Sequence, residues 1–109
     1  FSITSDVTVG YGSDVVTVQR VLTEAAAAQP RVLKSREPVA FLAEFAPDGL
    51  QFTLNFWVSD PANGQLNLRS AINIAIVEGL RDAGIEIRPP QRVLQYSAQP
   101  TSSSTEATG

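Results

Sequence analysis

The chain predicts an α+β fold with the element order β-α-β-β-α-β, two helices lying on one face of a mixed or antiparallel sheet. Three observations predict it. Residues 51–59 alternate cleanly, with Phe52, Leu54, Phe56 and Val58 on one side and Gln51, Thr53, Asn55, Trp57 and Ser59 on the other. That period of two is the mark of a strand with one covered face. Val15, Val18, Leu22 and Ala25, and later Ile72, Ile76 and Leu80, recur at the three- and four-residue spacing of amphipathic helices. Such stripes need a surface to cover them, and the strands supply it.

The first strand spans 5–11, with Val7, Val9 and Tyr11 on one face and Asp6, Thr8 and Gly10 on the other; Phe1 and Ile3 continue the parity upstream. Gly12 ends it, and Ser13 or Asp14 can cap the following helix by accepting an orphan backbone N–H. Pro30 stops that helix. Residues 31–38 read as a connection. In the second strand Val39, Phe41, Ala43 and Phe45 alternate with Ala40, Leu42, Glu44 and Ala46. The turn Pro47-Asp48-Gly49 joins it to the 51–59 strand as an antiparallel hairpin. A loop at 60–64 precedes the second helix, 65–83, whose stripe is widened by Ile74 and Val77 as though it made contact on more than one side.

The stretch GLRDAGIEIRPPQ, 79–91, holds a helix stop, a stub of strand and a hard break. Gly84 stands where a left-handed residue ends a helix, a conformation that costs glycine nothing. Ile85 and Ile87 alternate with Glu86 and Arg88, and Pro89 and Pro90 then remove two ladder donors. Residues 91–96 are expected to be an extended segment sent out of the sheet. The order with right-handed crossovers is the ferredoxin-like, split β-α-β arrangement. Phe52, Leu54 and Phe56 face the helices, and Thr53, Asn55 and Trp57 form a half-wet opposite face. One α/β domain is expected over 1–96. The last thirteen residues, 97–109, carry no large apolar side chain and are expected to be a disordered polar tail.

Composition narrows function by exclusion. Cysteine, methionine and histidine are all absent, which removes thiol and imidazole catalysis and soft or imidazole metal ligation. No cofactor and no metal is expected. A formal charge of −3, from 8 basic and 11 acidic scattered residues, suits neither nucleic acid nor an anionic membrane surface. There is no apolar run long enough to span a bilayer. A chain that opens on Phe1 is expected to be a piece of a longer or processed protein.

Gly10-Tyr11-Gly12-Ser13-Asp14 sits between strand and helix, where phosphates often bind, but lacks the third glycine of a dinucleotide fingerprint and the lysine of a P-loop. A tight turn with a capping residue is the plainer reading. Glu44 lies on a strand, and Asp48 and Asp60 lie in turns, where aspartates bond their own backbone. No catalytic residue is assigned, and the chain is not expected to be an enzyme. Trp57 falls on the polar face of its strand, either as a partly covered surface aromatic or as an interface anchor, a role for which tryptophan is enriched.

Three segments, VTVGYGSDVVTVQRVLTEAAAAQPRVL (7–33), GLQFTLNFWVSDP (49–61) and AINIAIVEGLRDAGIEIRPPQRVL (71–94), together resemble the C-terminal α/β domain of the small-conductance mechanosensitive channel (MscS) family. The family's Pro-Phe-Pro-Gln or Pro-Tyr-Pro-Gln corner is here Arg88-Pro89-Pro90-Gln91, so an aromatic is replaced. The resemblance implies a non-catalytic cytoplasmic domain on the inner side of the cell membrane. It implies a homo-oligomer, a heptamer in the full channel, around a vestibule with side portals. The segment after the proline corner then builds an axial barrel, making Pro89, Pro90, Gln91, Val93, Leu94 and Gln95, with Trp57, the candidate subunit contacts. The membrane is reached only through transmembrane helices outside this chain, and the isolated fragment can be monomeric. The alternative is a ferredoxin-like regulatory domain that binds a ligand at 10–14 or on the half-wet sheet face.

Overall fold

The computed structural model describes residues 1–59 and 64–88. Its elements are β1 (Ser2–Val9), α1 (Val15–Ala27), β2 (Val39–Phe45), β3 (Leu50–Trp57) and α2 (Gln65–Asp82). The fold is α+β, as the sequence predicts. The three strands form an antiparallel sheet in the order β1-β3-β2. β3 thus inserts between β1 and β2, the strands that α1 connects, which is the split β-α-β arrangement.

The sheet has a dry face and a wet one because β3 alternates. Leu50, Phe52, Leu54, Phe56 and Val58 are buried beneath the helices. Around them pack Ile3 and Val9 of β1, Val18, Leu22 and Ala26 of α1, and Leu68, Ile72, Ile76 and Leu80 of α2. No charged or polar residue is buried among the described residues. The turn between β2 and β3 brings Gly49 so close to β1 that a Cβ there would lie 2.0 Å from the Val9 carbonyl oxygen. Only glycine lets the two backbones meet at that distance.

Four details differ from the sequence-based expectation. β1 begins at Ser2 and ends at Val9, so the Phe1–Ile3 parity is part of the strand system and Tyr11 lies beyond it. β2 does not alternate throughout. Its register with β3 shifts between Leu42 and Glu44, a bulge that places Glu44 opposite Gln51 and Phe45 opposite the buried Leu50. Val39 and Phe41 therefore lie on the wet face with Asn55 and Thr53, and Phe45 leaves their row. The connection at 31–38 also holds a bridge, Val32 to Val58, with Leu33 N donating to Trp57 O at 2.8 Å. Finally, Ile74 and Val77 meet no second layer among the described residues: they are 56% and 38% exposed on the outer side of α2.

Helix α2 ends as expected, with Gly84 at φ +74, and Ile85 N donates to Leu80 O at 2.9 Å. Among the described residues, the fourth strand shows one antiparallel bridge, Val9 to Ile87, with Arg88 N donating to Thr8 O at 2.8 Å and Gly10 N to Glu86 O at 3.3 Å. It lies on the outer edge of β1, where a ferredoxin-like sheet has its last strand. In the same register the next donor toward β1 would come from position 90, opposite Asp6, and that residue is proline. The 91–96 segment and the 97–109 tail lie outside the described residues, as do Asp60 and the rest of the 60–63 loop.

Candidate functional site

Two regions were singled out in the sequence, and the structure treats them differently. At the first, Gly10, Tyr11, Asp14, Thr17, Glu86 and Arg88 surround an open hollow of about 430 Å³. The α1 N-terminus points there, but it is already capped. Asp14 accepts from Thr17 N at 3.0 Å and from Thr17 Oγ1 at 2.6 Å. Those hydrogen bonds favour its ionised form, so its pKa lies below the ordinary aspartate value. The nearby Arg88 lies 3.9 Å from the Glu86 carboxylate. The Tyr11 hydroxyl is already engaged, donating to Ala46 O. A phosphate would meet a carboxylate where it needs free N–H groups, which favours the tight capped turn over a ligand site.

The cap has a testable consequence. The folded pKa of Asp14 is lowered, so its stabilisation is fully present above the unfolded value and is lost as pH falls through the folded one. The expected result is an acid-side drop in melting temperature that is smaller in Asp14→Asn, which keeps the cap but cannot titrate. An unchanged acid limb in that variant would remove Asp14 from the pH response.

The second region is the wet sheet face around Trp57. The register aligns Ser2 with Trp57, Thr4 with Asn55 and Val39, and Asp6 with Thr53 and Phe41. Thr53 Oγ1 donates to Asp6 Oδ1 across the strands at 2.8 Å. Trp57 is partly buried, and the Arg36 guanidinium stacks over its ring, 4.4 Å from the centroid. That is a cation–π contact of the kind that holds an arginine flat on an aromatic surface. Beside it, Asn55 Oδ1 is enclosed and has no hydrogen-bond partner among the described residues. Leaving such an acceptor unsatisfied costs about 1–3 kcal/mol. Phe41, 52% exposed, and Val39, 37% exposed, extend the apolar strip toward the sheet edge.

The structure thus joins Trp57 to Val39 and Phe41, two residues that sequence reasoning placed in a strand without assigning them a surface role. The signal was obscured because the choice of face for β2 depends on its register with β3. Pro89, Pro90, Gln91, Val93, Leu94 and Gln95 lie outside the described residues. Arg88, the last described residue before them, is fixed to β1. Among the described residues, no group of three or more carboxylates is placed to hold a metal ion, and no helix is long and apolar enough to cross a membrane.

Comparison with known proteins bears on the whole fold. No curated protein matches the chain by sequence. Among solved structures, the closed state of Helicobacter pylori MscS is similar, with a TM-score of 0.73 and 25% identity over 84% of this chain and 36% of that one. Arabidopsis thaliana MSL1 shares the fold at a TM-score of 0.68 and 13% identity, over 82% of this chain and 34% of that one. The chain therefore spans only about a third of each of these channels. The family model for the C-terminal region of the mechanosensitive ion channel MscS matches residues 3–87, every described element from β1 to the Ile87 bridge. By that match, the chain belongs to the MscS C-terminal domain family.

Proposed function

We propose that the chain is the cytoplasmic assembly and vestibule domain of a mechanosensitive ion channel. In this reading it is non-catalytic, it joins copies of itself, and it shapes which solutes reach the pore. The supporting observation is the family match across the entire α+β fold, which ends where the polypeptide is fixed to the β1 edge and meets the proline pair. A strand beyond such a corner, excluded from its own sheet by Pro89 and Pro90, needs other chains to satisfy its backbone. The segment carrying Gln91, Val93, Leu94 and Gln95 is proposed as that axial contact, with Trp57 as a second. The assembly would be a homo-oligomer, a heptamer in the full channel, on the cytoplasmic side of the inner membrane. Transmembrane helices elsewhere in the parent protein would sense tension.

A chimera tests this. The C-terminal domain of Helicobacter pylori MscS is replaced by this chain, and hypo-osmotic survival and oligomer size in detergent are measured. The expected outcome is an oligomeric channel that protects cells from osmotic downshock. The same chimera ended after Arg88 should keep a folded domain but lose part of its assembly. A chimera with a folded domain that neither assembles nor protects would overturn the proposal.

A further inference from the structure

Two rows of exposed apolar side chains in the described part of the domain lie at opposite edges of the sheet. One is the outer side of α2, where Leu66, Ile74 and Val77 are 78%, 56% and 38% exposed along an open groove of about 550 Å³. Arg69 reaches from this side to the Thr4 carbonyl on β1 at 3.1 Å, so the stripe stands above the β1 edge. The other surface is the β2 edge, where Phe41 and Val39 continue the strip that begins at Trp57. Because the order is β1-β3-β2, these edges cannot meet within one chain. They can meet between chains.

We infer that the α2 stripe of one copy receives the β2 edge of the next, a head-to-tail contact between copies of this chain. Charge supports this choice of occupant. The α2 groove is flanked by Arg69 and Arg81, with Glu78 between apolar positions. The β2 edge is flanked by Glu37 and Glu44, neither with an ion-pair partner among the described residues. Of the basic groups near that edge, Lys34 bonds the Ala27 carbonyl, and Arg36 lies on Trp57 at the start of the strip, so the edge carries two carboxylates against one guanidinium. Each surface thus offers an apolar row with mixed charge, in basic excess on α2 (Arg69 and Arg81 over Glu78) and in acidic excess at the β2 edge (Glu37 and Glu44 over Arg36). A two-fold pairing of either surface with itself would leave the other exposed, whereas a head-to-tail contact covers both and closes into a ring when its rotation allows. The inference rests on the assembly proposed above and names the surfaces that form it.

The absence of native cysteine makes the test clean. The full chain is prepared as Phe41→Cys and Ile74→Cys, each alone and then mixed, and treated with a short bismaleimide at high protein concentration. Sedimentation of the unlinked chain is run in parallel. The expected result is 41-to-74 dimers enriched several-fold in the mixture over either variant alone. Ladders beyond the dimer are expected when both cysteines are on one chain. Ile74→Glu should raise the association midpoint about tenfold or more, since the contact would bury a charge. Dominant 74-to-74 or 41-to-41 links would overturn the head-to-tail contact. So would self-association without 41-to-74 enrichment, and that outcome leaves the assembly proposal standing. A chain that stays monomeric and unlinked at every concentration overturns the contact, while the chimera decides the assembly proposal separately.

Discussion

Phe52→Ala is expected to lose about 3–5 kcal/mol of unfolding free energy, the cost of removing a buried aromatic and leaving a cavity. Phe52 is fully buried on β3, the central strand of the sheet, paired with Val7 on one side and Leu42 on the other. The core can collapse only a little around the vacancy, because rows from two strands and both helices meet there. A domain of this size holds about 5–15 kcal/mol in total, so the variant should sit near the edge of folding at physiological temperature. Urea unfolding provides the measurement. Phe41→Ala is the control: its side chain is half-exposed on the opposite face, and a loss of about 1 kcal/mol or less is expected. Comparable losses at the two positions would mean that the sheet buries the other face.

Trp57→Ala should show the reverse pattern, a small effect on folding and a large one on assembly. In the single chain the ring is partly buried and holds Arg36 against it. Losing that stack at a half-wet site costs about 0.5–1 kcal/mol. If the wet face is a subunit contact, a central aromatic contributes about 2 kcal/mol or more to association, or roughly 30-fold in affinity. The measurement is oligomer dissociation in the MscS chimera, alongside the melting temperature of the isolated chain. A variant that assembles as tightly as the parent would reduce Trp57 to a surface aromatic covered by arginine. Arg36→Ala separates the two roles, since it removes the stack in the single chain while leaving the ring available to a partner.

The fold class, the element order and both helices were legible in the sequence because each depends on local period. Val15, Val18 and Leu22 can only be a helical stripe, and Phe52, Leu54 and Phe56 can only be one side of a strand. Helix ends were legible for the same reason: Asp14 and Gly84 act on backbone groups within a few residues of themselves. The wet face of Trp57 followed from the same alternation.

Other features depended on partners distant in sequence. The sequence shows that Val39, Phe41 and Phe45 share a parity, but a bulge at Leu42/Glu44 separates them, and only the pairing with β3 fixes which face each takes. The apolar residues Ile74 and Val77 called for a neighbour, and the tertiary structure decided that no described element of the same chain supplies one. The place of the last described segment is set by the bridge of Ile87 to Val9, a pairing across the sheet between residues far apart in sequence. Local period and end chemistry are written residue by residue, so the sequence by itself determined the elements and their stops. Register, face and exposure are relations between elements, settled by which hydrogen-bond ladder and core packing win together, and only the tertiary structure decided them.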